Sequence, residues 1–108
     1  MTDPLLSLLG LARRAGKLSL GCDPVIDSVR NKKSKLVLLS SDISYNTYKK
    51  IIRACNEYNL TFKKLPVSMT NLSNALGKHV GVVSVEDNGF SKKVLSVCSV
   101  LHEEEDIL

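Results

Sequence analysis

The stretch Leu11-Ala12-Arg13-Arg14-Ala15-Gly16-Lys17-Leu18-Ser19-Leu20-Gly21 carries a basic helix end through two glycines into a new helix. The run Lys35-Leu36-Val37-Leu38-Leu39-Ser40-Ser41-Asp42 follows and reads as a buried strand. Glycine just before a helix N-terminus leaves backbone N–H groups free to face an anion, and nearby Arg and Lys add the matching charge. No nucleophile, metal cluster or redox pair accompanies these residues. Their chemistry is phosphate recognition without catalysis, and RNA is the phosphate polymer it suits.

Other chemistries are poorly supported. The chain holds no G-x-S-x-G elbow, no G-x-G-x-x-G and no P-loop. His79 and His102 lack a Ser, Cys or carboxylate partner at motif spacing. Asp23 and Asp27 stand four apart and could form an acid/base or metal pair, but helix capping and dipole complementarity explain both. Cys22, Cys55 and Cys98 are odd in number and far apart, so they suggest neither a disulfide framework nor a zinc site. Each reads as a small hydrophobe on a helix. No metal or cofactor is expected, and the chain does not read as an enzyme.

The elements that position the basic and glycine residues come from one domain, for which 108 residues suffice. No window reaches the ~20 apolar residues of a membrane helix. The N-terminus carries an acid and a proline rather than a cationic leader, which predicts a cytoplasmic protein. Residues 1–102 hold all 15 basic side chains against 7 acidic ones, a balance of +8. Glu103-Glu104-Glu105-Asp106 lie beyond the last predicted helix. The expected division is one folded domain over 1–102 and an acidic tail over 103–108, either disordered or a weak mimic of the polyanion. A body so basic points to a polyanion partner.

Asp3-Pro4 predicts a helix start, and Leu5, Leu8, Leu9 and Ala12 form its apolar stripe, with the end near Gly16. Leu18 to Leu20 is long enough only for an edge strand. Asp23-Pro24 predicts a second helix, with Asp23 as N-cap and Val25, Ile26 and Val29 inside; Arg30-Asn31-Lys32-Lys33 closes it. Leu36 to Leu39 is a continuous apolar run, as in a central strand covered on both faces. A third helix is expected from Ser44 to Tyr58, with Tyr48, Ile51, Ile52 and Cys55 inward and Lys49, Lys50 and Arg53 outward. Leu60 to Leu65 and Val80 to Val85 read as strands, and Met69 to Leu76 as a short helix stopped by Gly77. Phe90, Val94, Val97 and Leu101 make the seam of a final helix. Such alternation predicts an α/β sandwich with helices on both sheet faces, whose ligands gather where strands lead into helices. The stripes are all needed to cover the sheet, which predicts a monomer.

Gly16-Lys17-x-x-x-Gly21, Lys35 to Asp42, Leu72-x-x-x-Leu76-Gly77-Lys78 and Gly81-Val-Val-Ser-Val85 follow in order. With Asn46-Thr47, Lys49-Lys50, Cys55-Asn56-x-Tyr58 and Asn88-Gly89-Phe90, this resembles the kink-turn RNA-binding ribosomal-protein superfamily of seven-Ae and thirty-e type. The short bacterial YlxQ-like members are the nearest match, and the likeness runs from about Leu5 to Leu101. The resemblance implies a three-layer α/β/α sandwich with a four-stranded mixed sheet, one end of which docks on a sharply bent structured RNA, ribosomal RNA among the candidates. It also implies that Gly21, Asp23, Pro24 and Asp27 stand where members present Gly-x-Asn-Glu-x-x-Lys. Gly21 matches. Asp23 replaces the amide, Pro24 replaces the carboxylate and removes a backbone donor, and Asp27 reverses the charge.

By the same resemblance, Lys17 and Lys78 match basic positions at the RNA-facing end, with Arg14 close by and Lys33 as a further phosphate partner. His79, Val80 and Gly81 correspond to the loop that packs against a flipped-out base. An Asp accepts but cannot donate to a guanine edge, and carboxylates repel phosphates, so the departures predict weaker kink-turn binding. The alternative is a protein-interaction module that keeps the fold and has lost RNA recognition.

Overall fold

Helices and strands alternate through the computed structural model, which describes the backbone of residues 3–107 and the side chains of residues 3–98. The order is α1 (Pro4–Arg14), β1 (Leu18–Leu20), α2 (Cys22–Arg30), β2 (Leu36–Leu39), α3 (Tyr45–Glu57), β3 (Phe62–Lys64), α4 (Met69–Leu76), β4 (Val82–Val85) and α5 (Asn88–Ile107). Asp3 caps α1 by accepting the Leu5 N–H at 2.8 Å, and Pro4 fills a first-turn position that needs no donor. Arg13 and Arg14 close α1, complementing its dipole.

The sheet order is β1-β4-β2-β3. β4 pairs antiparallel with both β1 and β2, while β2 and β3 run parallel, so the sheet is mixed. Every residue of β2 and β4 is buried, as two-sided cover requires. Alternation along β2 sends Leu36 and Leu38 to one face and Val37 and Leu39 to the other. The first face packs under Leu5 and Leu9 of α1, Leu72 and Leu76 of α4 and Val94 of α5. The second packs under Val25 and Val29 of α2 and Ile51, Ala54 and Cys55 of α3. The three-layer α/β/α sandwich is thus as expected, with Cys55 buried beneath α3.

A polar seam runs through the second face. The Ser84 hydroxyl, fully buried in β4, donates to Ser34 Oγ at 2.6 Å and lies 3.2 Å from Ser28 Oγ of α2. Ser28 and Ser19 hydroxyls both donate to Glu86 Oε2, at 2.5 and 2.6 Å. These bonds join β1, α2, the α2–β2 turn and the end of β4.

Four boundaries depart from the sequence expectations. α2 begins at Cys22 with Gly21 as N-cap, not at Asp23, because the Val25 N–H already bonds the Gly21 carbonyl at 3.0 Å. β3 is confined to Phe62–Lys64, the residues that pair with Val37 to Leu39. β4 starts at Val82 rather than Val80, since Val80 bonds α4 instead of the sheet. Helical backbone continues to Ile107, so residues 103–106 extend α5 rather than follow it; Leu and Glu favour helix and no Gly or Pro interrupts them. The expected Leu101 seam contact lies outside the described side chains.

Candidate nucleic-acid interface

Where β1 ends, the chain turns into α2 at Gly21, whose φ of 98° is closed to side chains other than glycine at tolerable strain. Its N–H donates to the Val82 carbonyl at 3.0 Å, which seats the α2 N-terminus against the start of β4. Gly81, one residue earlier, accepts the Ser40 N–H at 2.9 Å. A Cβ on Gly81 would stand 2.7 Å from Met69 Cε and 2.8 Å from Ile43 Cδ1, so any larger residue would have to push the ends of those two side chains aside. One rim therefore gathers Gly21, the first turn of α2 and the segment leading to β4.

That first turn is open. Asp3 caps α1, Ser44 caps α3 and Ser68 caps α4, while Asp87 accepts the Phe90 N–H at the start of α5. Among the described helices, α2 alone starts without a side-chain cap. Its Cys22 and Asp23 N–H groups have no partner inside the helix, and Pro24 contributes none. Open donors at the positive end of a helix dipole suit an anion. Asp23 and Asp27, both exposed and a turn apart, oppose one.

The α4 N-terminus cannot serve the same purpose. The Asp42 carboxylate takes the Met69 N–H at 2.8 Å, and this bond holds its carboxyl below the ordinary 3.8. The strand end Ser40-Ser41-Asp42 thus supplies a cap between elements.

Ser73 was not singled out by sequence, yet it fixes the loop before β4. Its hydroxyl accepts the Val80 N–H at 2.9 Å and bonds the Val80 carbonyl at 3.2 Å. Val80 is 3% exposed and packs into the α1–α4–α5 core, so its side chain does not reach the surface. His79 and Lys78 remain exposed beside it. A serine seven residues before a valine carries no signal in the chain that would have marked this.

The expected site divides in space. Lys17 does not share the Gly21 end: its carbonyl accepts the Glu86 N–H at 2.8 Å, beyond the far end of β4. The extended strand β1 separates the two residues by about 13 Å. Lys35 bonds Val85 at that same far end, and Lys33 precedes it, so Lys17 and Lys33 belong to a second, basic end with Lys35. Arg14 closes α1 three residues before Lys17. Lys78 follows Gly77, where an added Cβ would lie 3.8 Å from Arg13 Nη1, and so leads from the α1 terminus to the Gly21 rim. Gly21, Asp23, Pro24, Asp27, Lys78 and His79 occupy or adjoin the rim, whereas Lys17 and Lys33 lie at the opposite strand ends and Arg14 just before Lys17.

The described residues hold no group of three or more His, Cys, Asp or Glu side chains fit for a metal ion, and no described helix is long and apolar enough to cross a membrane. Residues 3–95 match the ribosomal protein L7Ae/L30e/S12e/Gadd45 family. The chain is 46% identical over 91 residues to the RNA-binding protein YlxQ of Bacillus subtilis, covering 83% of this chain and 90% of that one. A Bacillus halodurans protein of unknown function superposes with a TM-score of 0.84 at 38% identity, over 91% of this chain and 99% of the other. The Giardia lamblia 15.5kD RNA binding protein shares the fold, with a TM-score of 0.70 at 15% identity over 95% and 92% of the two chains. Family match, close relative and fold agree with the motifs quoted above, and the chain belongs to the ribosomal protein L7Ae/L30e/S12e/Gadd45 family.

Proposed function

We propose that this protein is a non-catalytic RNA-binding protein of ribosomal-protein type that docks a kink-turn-like structured RNA, ribosomal RNA among the candidates, on the Gly21 rim. The observation that carries this is the uncapped α2 N-terminus, in a chain of this family with a relative named as RNA-binding. Cys22 and Asp23 N–H groups meet a phosphate or base edge, Lys78 adds charge and His79 contacts the bulge. Arg14, Lys17 and Lys33 reach phosphates of a flanking helix. Shape and backbone contacts set such docking, with few base-edge bonds. The protein acts as a cytoplasmic monomer, its apolar stripes being spent on the sheet.

Asp23 and Asp27 favour a second reading, a protein-interaction module, because they place two exposed carboxylates where a polyanion would approach. Titration of a kink-turn RNA against a straight duplex of equal length separates the two. Preference for the kink-turn supports docking at the rim. Equal binding of both RNAs, or of neither, transfers the rim to a protein partner.

A further inference from the structure

Tyr45, in the first turn of α3, is 71% exposed, the most of the exposed large hydrophobic side chains among the described residues. Tyr48 lies three residues on, on the same side of the helix and only partly covered. Lys49 Nζ stands 5.1 Å from the centre of the Tyr45 ring, and Lys64 Nζ, from β3, stands 5.9 Å from that of Tyr48. Arg53 continues the row from Tyr45 and Lys49 at four-residue spacing. From residue 45 to 64 there are five basic side chains and a single acid, Glu57. Strand alternation sends Lys64 to the α3 side with Phe62.

We propose that this α3–β3 face is a second RNA surface, which takes a single-stranded stretch by stacking a base on Tyr45 while Lys49, Arg53 and Lys64 meet its phosphates. An exposed ring beside cations is what a base followed by a phosphate requires, and stacking is tolerant of sequence. A protein partner would have to bring carboxylates to three separate cations on a nearly acid-free face. β3 and β1 are opposite edges of the sheet, so this face lies across the sheet from Gly21, while Tyr45 and Lys64 stand at the same strand ends as the rim. A structured RNA held at the rim would present its flanking single strand here.

The test uses the full chain and a fluorescein-labelled uridine oligomer of about 12 nucleotides, within the usual span of such sites. Anisotropy at low salt should show binding that Tyr45→Ala weakens about fivefold or more, with Tyr45→Phe close to the native value. Lys49→Ala and Lys64→Ala should each lower the log–log salt slope by about 0.7. Ultraviolet crosslinking should attach uridine to Tyr45. Binding of a kink-turn that carries no single-stranded flank should be unchanged in Tyr45→Ala, so failure here is distinguishable from failure at the rim. No oligomer binding, indifference to Tyr45→Ala, or an equal loss in Lys92→Ala would overturn the proposal. Competition by polyglutamate as strong as by the RNA would assign the face to an acidic protein and overturn it as well.

Discussion

Restoring the family pattern at the α2 start should strengthen binding to a kink-turn. The change is Asp23→Asn, Pro24→Glu and Asp27→Lys, all at exposed positions. Because Gly21 and not Asp23 caps α2, replacing Asp23 removes no capping bond. Pro24→Glu returns an N–H to the first turn, so three donors face the ligand where two do now. An acid there complements the dipole by about 0.3 to 1 kcal/mol, which offsets the loss of Asp23 on the same scale. The fold should therefore melt at nearly the native temperature. On the RNA side, the net charge of the rim rises by two, and one regained base-edge contact is worth about 1 to 3 kcal/mol. An affinity gain of about tenfold is expected on that basis. If the Asp27→Lys side chain meets a phosphate, the salt slope steepens by roughly 0.7 to 0.9. Fluorescence titration of a kink-turn and a straight duplex with both proteins reads all of this. A variant that gains nothing, or gains equally on both RNAs, refutes the α2 start as an RNA-reading element.

Lys78→Ala should lower the salt slope of kink-turn binding by about 0.7 to 0.9 if it meets a phosphate, whereas Lys92→Ala on α5 should leave it unchanged; the two are compared by titration over a salt series. Ser84→Ala should cost about 0.5 to 1.5 kcal/mol in urea denaturation, because it removes the buried bond to Ser34 while Ser34 and Ser28 keep Leu36 and Glu86 as partners. Cys55 should resist iodoacetamide at pH 8 in the native protein and react only on unfolding, since burial pushes its thiol up to about 11; mass spectrometry reads the sites. The Asp42 cap of α4 stabilises the fold fully above pH 3.8 and is lost as pH falls through the lower folded-state value, so Asp42→Asn should remove that part of the acid dependence of stability.

The core was legible because its signals were local and redundant. Leu36 to Leu39 is apolar at every position, and the Asp3-Pro4 start needs no distant partner to be read. The α2 start was misplaced for the opposite reason. Asp-Pro is a strong helix signal, whereas Gly21 caps by conformation alone and leaves no side chain to recognise. Lys17 and Gly21 stand four apart in the chain, and only the extended β1 between them shows that they serve different ends. Ser28, Ser34 and Ser84 looked like solvated residues one by one; their seam exists only after α2 lies on β4. Tyr48 and Lys64 met in the same way, through the pairing of β3 with β2. Sequence named candidate recognition residues but could not divide them in space.

The sheet is completed from its middle. β4 lies between β1 and β2 and is the partner of both, yet it follows them in the chain, the 46 residues from Ser40 to Val85 separating the end of β2 from the end of β4. At about 5 to 20 residues per second, a ribosome needs roughly 2 to 9 s to make that segment. During those seconds Leu18 to Leu20 has no strand beside it, and Leu36 to Leu39 has at most β3. The nascent chain therefore emerges with its most apolar strand unprotected, and neither face of the sandwich can close before Val85 is added. A nonsense codon anywhere before Val82 yields no smaller folded unit, only a sticky fragment for chaperones and proteases to clear.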